Sequence, residues 1–141
     1  MKVTTKITYN AAKLASALPK IISKTTSRYA RLSAKGARKN IERGLKPPLK
    51  KSTLNIRHNK GITGSKPLYE TGNLHRSIKA KGDTLTMNDY GFQHQHGFTT
   101  RASSAVPKKK VPARPFIEPD KQEILTVLDA FKKDISTNFR R

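Results

Sequence analysis

The chain has 141 residues, of which 30 are Lys or Arg and 9 are Asp or Glu, so its formal net charge is +21. This length predicts one domain, and an apolar share of 34% predicts a small core that neighbouring subunits complete. The chain has no cysteine, which excludes disulfides, cysteine-based zinc sites and thiol catalysis, and it lacks the apolar runs that predict a secretory signal or a membrane span.

The positive charge is concentrated in the first half of the sequence. Residues 1–66 carry 17 Lys and Arg against a single acid, Glu42, a balance of +16, whereas residues 67–141 carry 13 against 8, a balance of +5. We therefore divide the chain into a basic helical region with a loop, 1–66, and an α+β assembly module, 67–141, within what we expect to be one domain. Such asymmetry predicts a polyanion or an acidic protein surface as partner.

The first half predicts a long basic helix. Asn10 is the predicted cap of its first turn, and Pro19 either kinks this helix or opens a second one. Gly44 and Pro47 supply the stop signals. From residue 19 to residue 44, apolar residues recur at the spacing of one helical face: Ile22, Tyr29, Ala30, Ala34, Ala37 and Ile41.

A stripe of basic residues, named the basic stripe below, follows the same helix at steps of four and three: Lys24, Arg28, Arg31, Lys35 and Arg38. They fall within an arc of about 80°, largely opposite the apolar face. Exposed helices usually mix charges and gain i,i+4 pairs, but no acid precedes Glu42. We therefore predict that the stripe faces a partner, either DNA phosphates or an acidic neighbouring protein, the alternative being a solvated helix face.

Two stretches predict long polar loops, namely 46–66, which is rich in Lys, Pro, Gly and Ser or Thr, and 98–110. Residues 111–117 are predicted to be extended, because Pro112 and Pro115 disfavour helix in the residues before them. These segments separate the short elements of the second half.

Between the two loops we predict a short helix and a β-hairpin. Thr71 is the predicted cap of a helix that ends at Ser77 and directs Leu74 and Ile78 to one side. The hairpin turns at Gly82, where apolar and polar residues alternate on either side. Its strands are predicted over 77–81 and 84–88.

The last predicted element is an amphipathic helix with Pro119 at its first position and acids in its first turn. Its predicted buried stripe comprises Ile124, Leu128, Phe131 and Ile135, with Leu125 and Val127 beside it. The predicted fold is therefore α+β: a long basic N-terminal helix, a small antiparallel sheet with short helices, and an amphipathic C-terminal helix.

His94 and His96 are the obvious candidates for a metal site. On a strand they would share one face, but the sequence offers no evident third ligand. We therefore predict polar packing at the end of a short helix closed by Gly97, and no metal, cofactor or enzymatic activity.

Arg114 lies two residues before Phe116, and we predict that the pair locks a contact rather than catalyses a reaction. The guanidinium fork can pair with a carboxylate or with the carbonyls of a helix end, and Phe116 would anchor in a pocket. A single buried structural arginine and a contact between subunits both fit this pattern.

Three motifs occur in order. The first motif comprises Leu68, Thr71, Gly72, Leu74, Ser77 and Ile78. The second motif comprises Tyr90, His94, Gln95 and Gly97. The third motif comprises Val111, Pro112, Ala113, Arg114, Pro115, Phe116 and Ile117. Together they resemble the virion morphogenesis and neck or tail-completion proteins of long-tailed bacteriophages, the group that includes the Mu G-like family, over residues 67–138.

The resemblance implies a structural virion protein of the neck that forms a homo-oligomeric ring, expected to be a hexamer. It implies head-closure and tail-terminator or tube proteins as partners, non-specific contact with genomic DNA, no membrane, and residence in the host cytoplasm during assembly. Two residues depart from the family pattern. Gly91 replaces an Ala, which is expected to cost the helix about 1 kcal/mol, and His96 replaces an aromatic residue, which is expected to make the helix end sensitive to pH.

Two other interpretations stay open. The +16 balance of residues 1–66 suits a basic nucleic-acid-binding protein of the ribosomal or nucleoid type, although interleaved aromatics and helix-turn-helix or zinc patterns are missing. A metal-dependent nuclease that uses His94 and His96 is the third and weakest interpretation.

Overall fold

The structure is a computed structural model that describes residues 10–102 and 107–139. It is a mixed α+β fold dominated by helices, with two small antiparallel sheets, which confirms the predicted fold class. In chain order the elements are α1 (Ala11–Arg43), α2 (Lys51–Asn59), α3 (Asn73–Ser77), β1 (Lys79–Lys81), β2 (Thr84–Thr86), α4 (Asp89–His96), β3 (Phe98–Thr99), β4 (Lys110–Val111) and α5 (Lys121–Phe139). Within the described ranges, no helix combines the length and apolar character that crossing a membrane requires.

Helix α1 runs for 33 residues through Pro19, so a second helix does not open there. Asn10 caps α1 as predicted, because its side-chain oxygen accepts a hydrogen bond of 2.9 Å from the N–H of Lys13. The N–H of Gly44 donates to the carbonyl of Asn40 at 3.1 Å and ends the helix. Proline inside a helix costs about 3 kcal/mol. Contacts between α1 and α5 lie on both sides of Pro19, from Asn10 to Phe139 and from Lys24 to Asp134.

The predicted apolar face of α1 is correct only in part. The residues of its second half are buried, namely Ala30, Ala34, Ala37 and Ile41. Ile22 and Tyr29, however, are 50% and 45% exposed, and Ile21 is buried in their place. The reason is that α1 packs against both α5 and the β1–β2 hairpin, so one straight stripe cannot serve both contacts.

Helices α1 and α5 are antiparallel neighbours. Nζ of Lys24 lies 3.0 Å from a carboxylate oxygen of Asp134, and an atom at the Cβ position of Gly36 would lie 3.5 Å from Cα of Pro119. The side chain of Asp120 accepts a hydrogen bond of 3.0 Å from a backbone N–H in the first turn of α5. The helix therefore begins after Pro119 rather than at it, with Asp120 as the capping residue.

The predicted buried stripe of α5 is rotated. Val127, which was predicted to lie beside the stripe, is buried, whereas Leu128 is 45% exposed and Leu125 is 51% exposed. The other members of the predicted stripe are half-buried, namely Ile124, Phe131 and Ile135. The contact with α1 decides which side of α5 is covered, and the sequence of α5 has apolar residues on more than one side.

One core joins the two halves of the sequence. The largest fully buried side chains are Phe116, Ile41, Leu74 and Ile78. Ala34 and Ala37 of α1 complete this cluster. The second half therefore buries its apolar residues against α1, and the small alanine side chains let α1 approach closely.

The β1–β2 hairpin is confirmed, with Ala80 opposite Leu85, but its strands are shorter than the predicted 77–81 and 84–88, because Ser77 belongs to α3 and β2 ends at Thr86. The loop predicted over 46–66 is wrong in part, because it contains α2; this helix has no side-chain cap and no acid in its first turn, so local signals for it are missing. The loop predicted over 98–110 contains the paired strands β3 and β4, and its residues 103–106 lie outside the described residues.

The cap predicted for α3 is displaced by one residue. Gly72, with φ of 72°, occupies the capping position and makes no side-chain hydrogen bond. The hydroxyl of Thr71 accepts only a long hydrogen bond of 3.4 Å from the N–H of Asn73. A left-handed residue before the helix favours glycine, which accounts for Gly72 in the first motif.

Candidate functional site

The third motif is fastened to the segment between α1 and α2. Nε of Arg114 donates a hydrogen bond of 2.9 Å to the carbonyl of Pro47, and Nη2 reaches the carbonyl of Pro48 at 3.4 Å. Arg114 is only 7% exposed, and burial lowers its pKa. The guanidinium fork thus binds carbonyls of its own chain, in a loop rather than at a helix end. Of the two predicted alternatives, a buried structural arginine and a contact between subunits, this geometry fits the first.

Gln95 fastens the second motif to the third. Its side-chain oxygen accepts hydrogen bonds from the N–H groups of Phe116 at 2.9 Å and Ile117 at 3.2 Å. The carbonyl of His94 accepts a further one of 2.8 Å from the N–H of Arg114. Buried amides of an extended segment need acceptors, and α4 supplies them here. Phe116 is consequently held in the core, as its predicted anchoring role requires.

Gly97 lets the second and third motifs touch. Its φ is 77°, and a Cβ at this position would lie 2.7 Å from the nitrogen of Ala113 and 2.9 Å from the carbonyl oxygen of Val111. No side chain fits between these backbones. The predicted closure of the short helix by Gly97 is confirmed, since α4 ends at His96 and Gly97 caps it.

Both departures from the family pattern lie on α4. Gly91 is buried, and a Cβ there would lie 2.7 Å from Sδ of Met87 and 2.8 Å from Cδ1 of Leu74. The space that an alanine methyl would need is filled by these two side chains, which explains the glycine. His96, by contrast, is exposed, so nothing packs on the position that would hold an aromatic residue.

The first motif supplies core residues and one polar bridge. Leu74 and Ile78 pack in the core with Phe116. The hydroxyl of Ser77 donates to the carbonyl of Leu74 at 2.8 Å and accepts from the N–H of Asn88 at 3.1 Å. Ser77 therefore ties the end of α3 to the segment that enters α4. Leu68 packs against the same core from a backbone with φ of 61°.

The remaining motif residues are exposed: Thr71, Tyr90, Pro112, Ala113 and Pro115. Tyr90 stands edge-on to the ring of His94, with 6.4 Å between ring centroids. Pro112 and Pro115 keep the segment between β4 and α5 extended. The three motifs thus form one internal framework, which we name the motif lock.

Sequence reasoning missed two residues of this framework. Nδ2 of Asn40 donates hydrogen bonds of 3.1 Å to the carbonyls of Phe116 and Glu118. Arg57, buried on α2, donates through Nη1 to the carbonyls of Gly64 and Lys66, both at 3.0 Å. The one signal that could have found Asn40 is its position next to Ile41 on a buried helix face, where a polar group needs a partner.

The predicted basic stripe is not a continuous free surface. Lys24 and Arg28 both approach Asp134 of α5, at 3.0 and 3.7 Å. Nη1 of Arg38 donates to the carbonyl of Ile78 at 2.9 Å. The expectation that these three face away from the packed side of α1 is therefore wrong, because α5 and the β1–β2 hairpin lie on their side. Of the other two, Arg31 is exposed with Nε bonded to its own helix, and Lys35 is exposed.

All three motifs border one open groove of about 1250 Å³, which we name the basic groove. It lies between the start of α2, the loop before α3, the side of α4 and β4. Its charged lining residues are Lys50, Lys51, Arg57, Lys109, Lys110 and Arg114 with the single acid Glu70. Its apolar lining includes Pro47, Leu49, Leu68, Leu74, Val111 and Pro112.

His94 lies at the wall of this groove, with its ring edge-on to Phe98 at 5.1 Å between centroids. Burial, and secondly the charge of Arg114, lower the pKa of His94, so the imidazole is neutral at pH 7. Among the described residues, no three His, Asp or Glu side chains form a group that can hold a metal ion. The groove can instead bind acidic groups through its lysines and apolar groups through its floor.

Comparisons of the chain with protein-family models, with curated proteins and with solved structures find no match.

Proposed function

We propose that this chain is a structural subunit of the bacteriophage neck, a tail-completion or connector protein that forms a homo-oligomeric ring and joins capsid to tail. The observation that carries the proposal is a contrast between the polar residues of the motifs, which bind within the chain, and the apolar residues of α1 and α5, which are exposed. The polar side chains of the motif lock, namely Arg114, Gln95 and Ser77, bind backbone groups of the chain itself, whereas large apolar side chains on α1 and α5 are exposed. Its partners are copies of itself, head-closure proteins, tail-terminator or tube proteins, and genomic DNA without sequence preference.

Three exposed apolar residues lie on one side of the α1–α5 pair, and we name them the apolar face: Ile22, Tyr29 and Leu128. Arg28 and Asp134 face each other across this pair. Relative to them, Tyr29 is rotated by about 100° and Leu128 by about 120° in the same sense. Because the helices are antiparallel, equal rotations carry both side chains to the same side.

An apolar face of this kind supports contact with another protein. Large apolar side chains gathered on one side mark interaction surfaces more often than scattered ones do. A contact between different surfaces of identical subunits closes into a ring when its rotation allows. The small, alanine-rich core also leaves apolar area for a neighbour to cover.

The rival function, a basic nucleic-acid-binding protein, gains no specific support from the stripe. Asp134 neutralises part of the charge of Lys24 and Arg28, and Arg38 is engaged by a backbone carbonyl. The exposed lysines that remain suit weak, salt-sensitive contact with phosphates, which the ring proposal also includes.

The proposal is tested on virus particles from a host that produces this chain. Purified particles are labelled with an antibody against the chain and viewed by electron microscopy. Label at the junction of head and tail supports the proposal. Particles that contain none of the chain, or carry it elsewhere, overturn it.

The role of the apolar face is tested by the native mass of the purified chain and its variants. Tyr29→Ser and Leu128→Ser remove apolar contacts and are expected to convert rings into smaller species. Ile56→Ser is the comparison, because Ile56 is an equally exposed apolar residue on α2. Loss of the ring in all three variants would assign assembly to general surface hydrophobicity rather than to this face.

A further inference from the structure

The basic groove is larger than most small-molecule sites and is partly open to solvent. Pockets for small ligands usually enclose about 300–1,000 Å³, whereas this groove measures about 1250 Å³. Its walls come from α2, α4, β4 and the loop before α3. A ligand that fills it must touch several of these walls at once.

The charge of the groove selects an acidic occupant. Six basic side chains line it against one carboxylate, Glu70. That carboxylate is itself engaged, since one of its oxygens lies 3.5 Å from Nε of Arg57. The four lysines are exposed, so their charges are available to a ligand, and they stand on two walls, with Lys50 and Lys51 on one and Lys109 and Lys110 on the other.

Two buried nitrogens at the groove have no hydrogen-bond partner among the described residues: Nε of Arg57 and Nδ1 of His94. Arg57 is 5% exposed, so water reaches its guanidinium poorly. The carboxylate of Glu70, 3.5 Å from Nε, pairs with this guanidinium, so the four exposed lysines are left to meet the acidic groups of a ligand.

The strand β4 adds a backbone edge to the groove. The N–H of Thr100 donates a backbone hydrogen bond of 2.9 Å to the carbonyl of Lys109, and Lys110 stands opposite Thr99 in the register of the two strands. Antiparallel strands alternate between bonded and non-bonded residue pairs. The N–H and carbonyl of Lys110 therefore point away from β3, towards the edge that no described strand covers. An extended peptide can add to such an edge through its own backbone.

The apolar floor distinguishes a peptide from a nucleic acid. Leu49, Leu68 and Val111 line the groove together with prolines. A phosphate backbone would satisfy the lysines but leave these side chains uncovered, whereas a peptide strand places alternate side chains on opposite faces. A strand with acidic residues on one face and apolar residues on the other matches the rim and the floor together.

We infer that the basic groove binds an extended acidic segment of another protein, with alternating acidic and apolar residues, against Lys50, Lys51, Lys109 and Lys110 and along the edge of β4. Such a segment binds whether or not the chain belongs to a phage neck, so this inference and the proposed function fail independently.

The test measures fluorescence anisotropy of a labelled peptide of alternating Glu and Leu titrated with the full chain. Lys109→Glu with Lys110→Glu is expected to weaken binding about tenfold or more, because two favourable charge contacts become repulsive. Lys35→Glu with Lys39→Glu is the matched control, since both lysines are exposed on α1 outside the groove and the change in net charge is the same. Circular dichroism verifies that both variants remain folded.

Binding that falls in the groove variant and stays within about twofold of wild type in the control supports the inference. Equal loss of binding in both variants would show that only the net charge of the chain matters, and it would overturn the inference. A peptide of alternating Glu and Ser should bind more weakly than the Glu-Leu peptide. If the two peptides bind equally, the apolar floor does not contribute to binding and the inferred occupant is wrong. An oligothymidine that binds more tightly than the Glu-Leu peptide and is lost only in the groove variant would assign the groove to nucleic acid instead.

Discussion

Arg114 donates a buried hydrogen bond of 2.9 Å to the carbonyl of Pro47, across 67 positions of sequence. This contact joins the extended segment before α5 to the segment that leaves α1. The same guanidinium lowers the pKa of His94 on α4, after the larger effect of burial. One side chain therefore connects three parts of the fold and forms the inner wall of the basic groove.

Replacing Arg114 should destabilise the fold. Arg114→Ala leaves the carbonyls of Pro47 and Pro48 without their donor, and we expect a loss of about 2–3 kcal/mol in the free energy of unfolding, since hydrogen bonds from charged groups contribute about that much. Arg114→Lys keeps a charge but not the fork, and should lose less. Urea unfolding followed by circular dichroism measures both. Arg101→Ala, at an exposed site, is the control, and a similar loss there would contradict the role of Arg114.

Gln95→Ala should cost about 1–3 kcal/mol, because the partly buried N–H groups of Phe116 and Ile117 lose their shared acceptor. Gln93→Ala is a close control, since Gln93 lies on the same helix and is exposed. Thermal and urea unfolding compare the two variants. Equal stability of the Gln95 and Gln93 variants would show that Gln95 does not hold the third motif.

Gly97→Ala should destabilise the chain more than Gly44→Ala does. Both glycines have positive φ, 77° and 96°, so both substitutions strain the backbone by about 1–3 kcal/mol. Only at Gly97 does the added Cβ meet neighbouring backbone, at 2.7 Å from the nitrogen of Ala113, whereas nothing lies within 4 Å of it at Gly44. The extra cost, about 1–3 kcal/mol, is measured as the difference between their free energies of unfolding in urea, and a difference of zero would contradict the close approach.

Stability should decrease on mild acidification through His94. Its folded pKa is lowered from an unfolded value of about 6.5, so the unfolded chain binds the proton more readily. The stabilisation is complete above about pH 6.5 and is lost as the pH falls through the folded pKa. Urea midpoints measured across this range should fall in the wild type and fall less in His94→Phe. Equal slopes in the wild type and in His94→Phe would contradict this assignment.

Local signals predicted much of the fold. The cap at Asn10, the stop at Gly44, the turn at Gly82 and the helix end at Gly97 are all confirmed. Each depends on the backbone preference of one residue and its near neighbours. The burial of Leu74 and Ile78 is confirmed for the same reason, because four-residue spacing on a helix fixes a shared side.

Distant pairings could not be predicted in this way. Nothing near Lys24 indicates that Asp134 will lie beside it, and nothing near Arg57 indicates the carbonyls that it binds. Helix α2 has no capping side chain and no first-turn acid, and β3 and β4 are two residues each, too short for a periodic signal. The basic groove depends on all of these placements and has no counterpart in any single stretch of sequence.

The sequence by itself determined the elements with strong caps, the excess of positive charge and the three motifs in their order, because each of these is a property of residues close together in the chain. Only the tertiary structure decided which charges face solvent and which side chains are buried. Packing of α1 against both α5 and the hairpin removed three residues from the basic stripe, turned Ile22 and Tyr29 outward, and placed Lys50, Lys51, Lys109 and Lys110 around one groove.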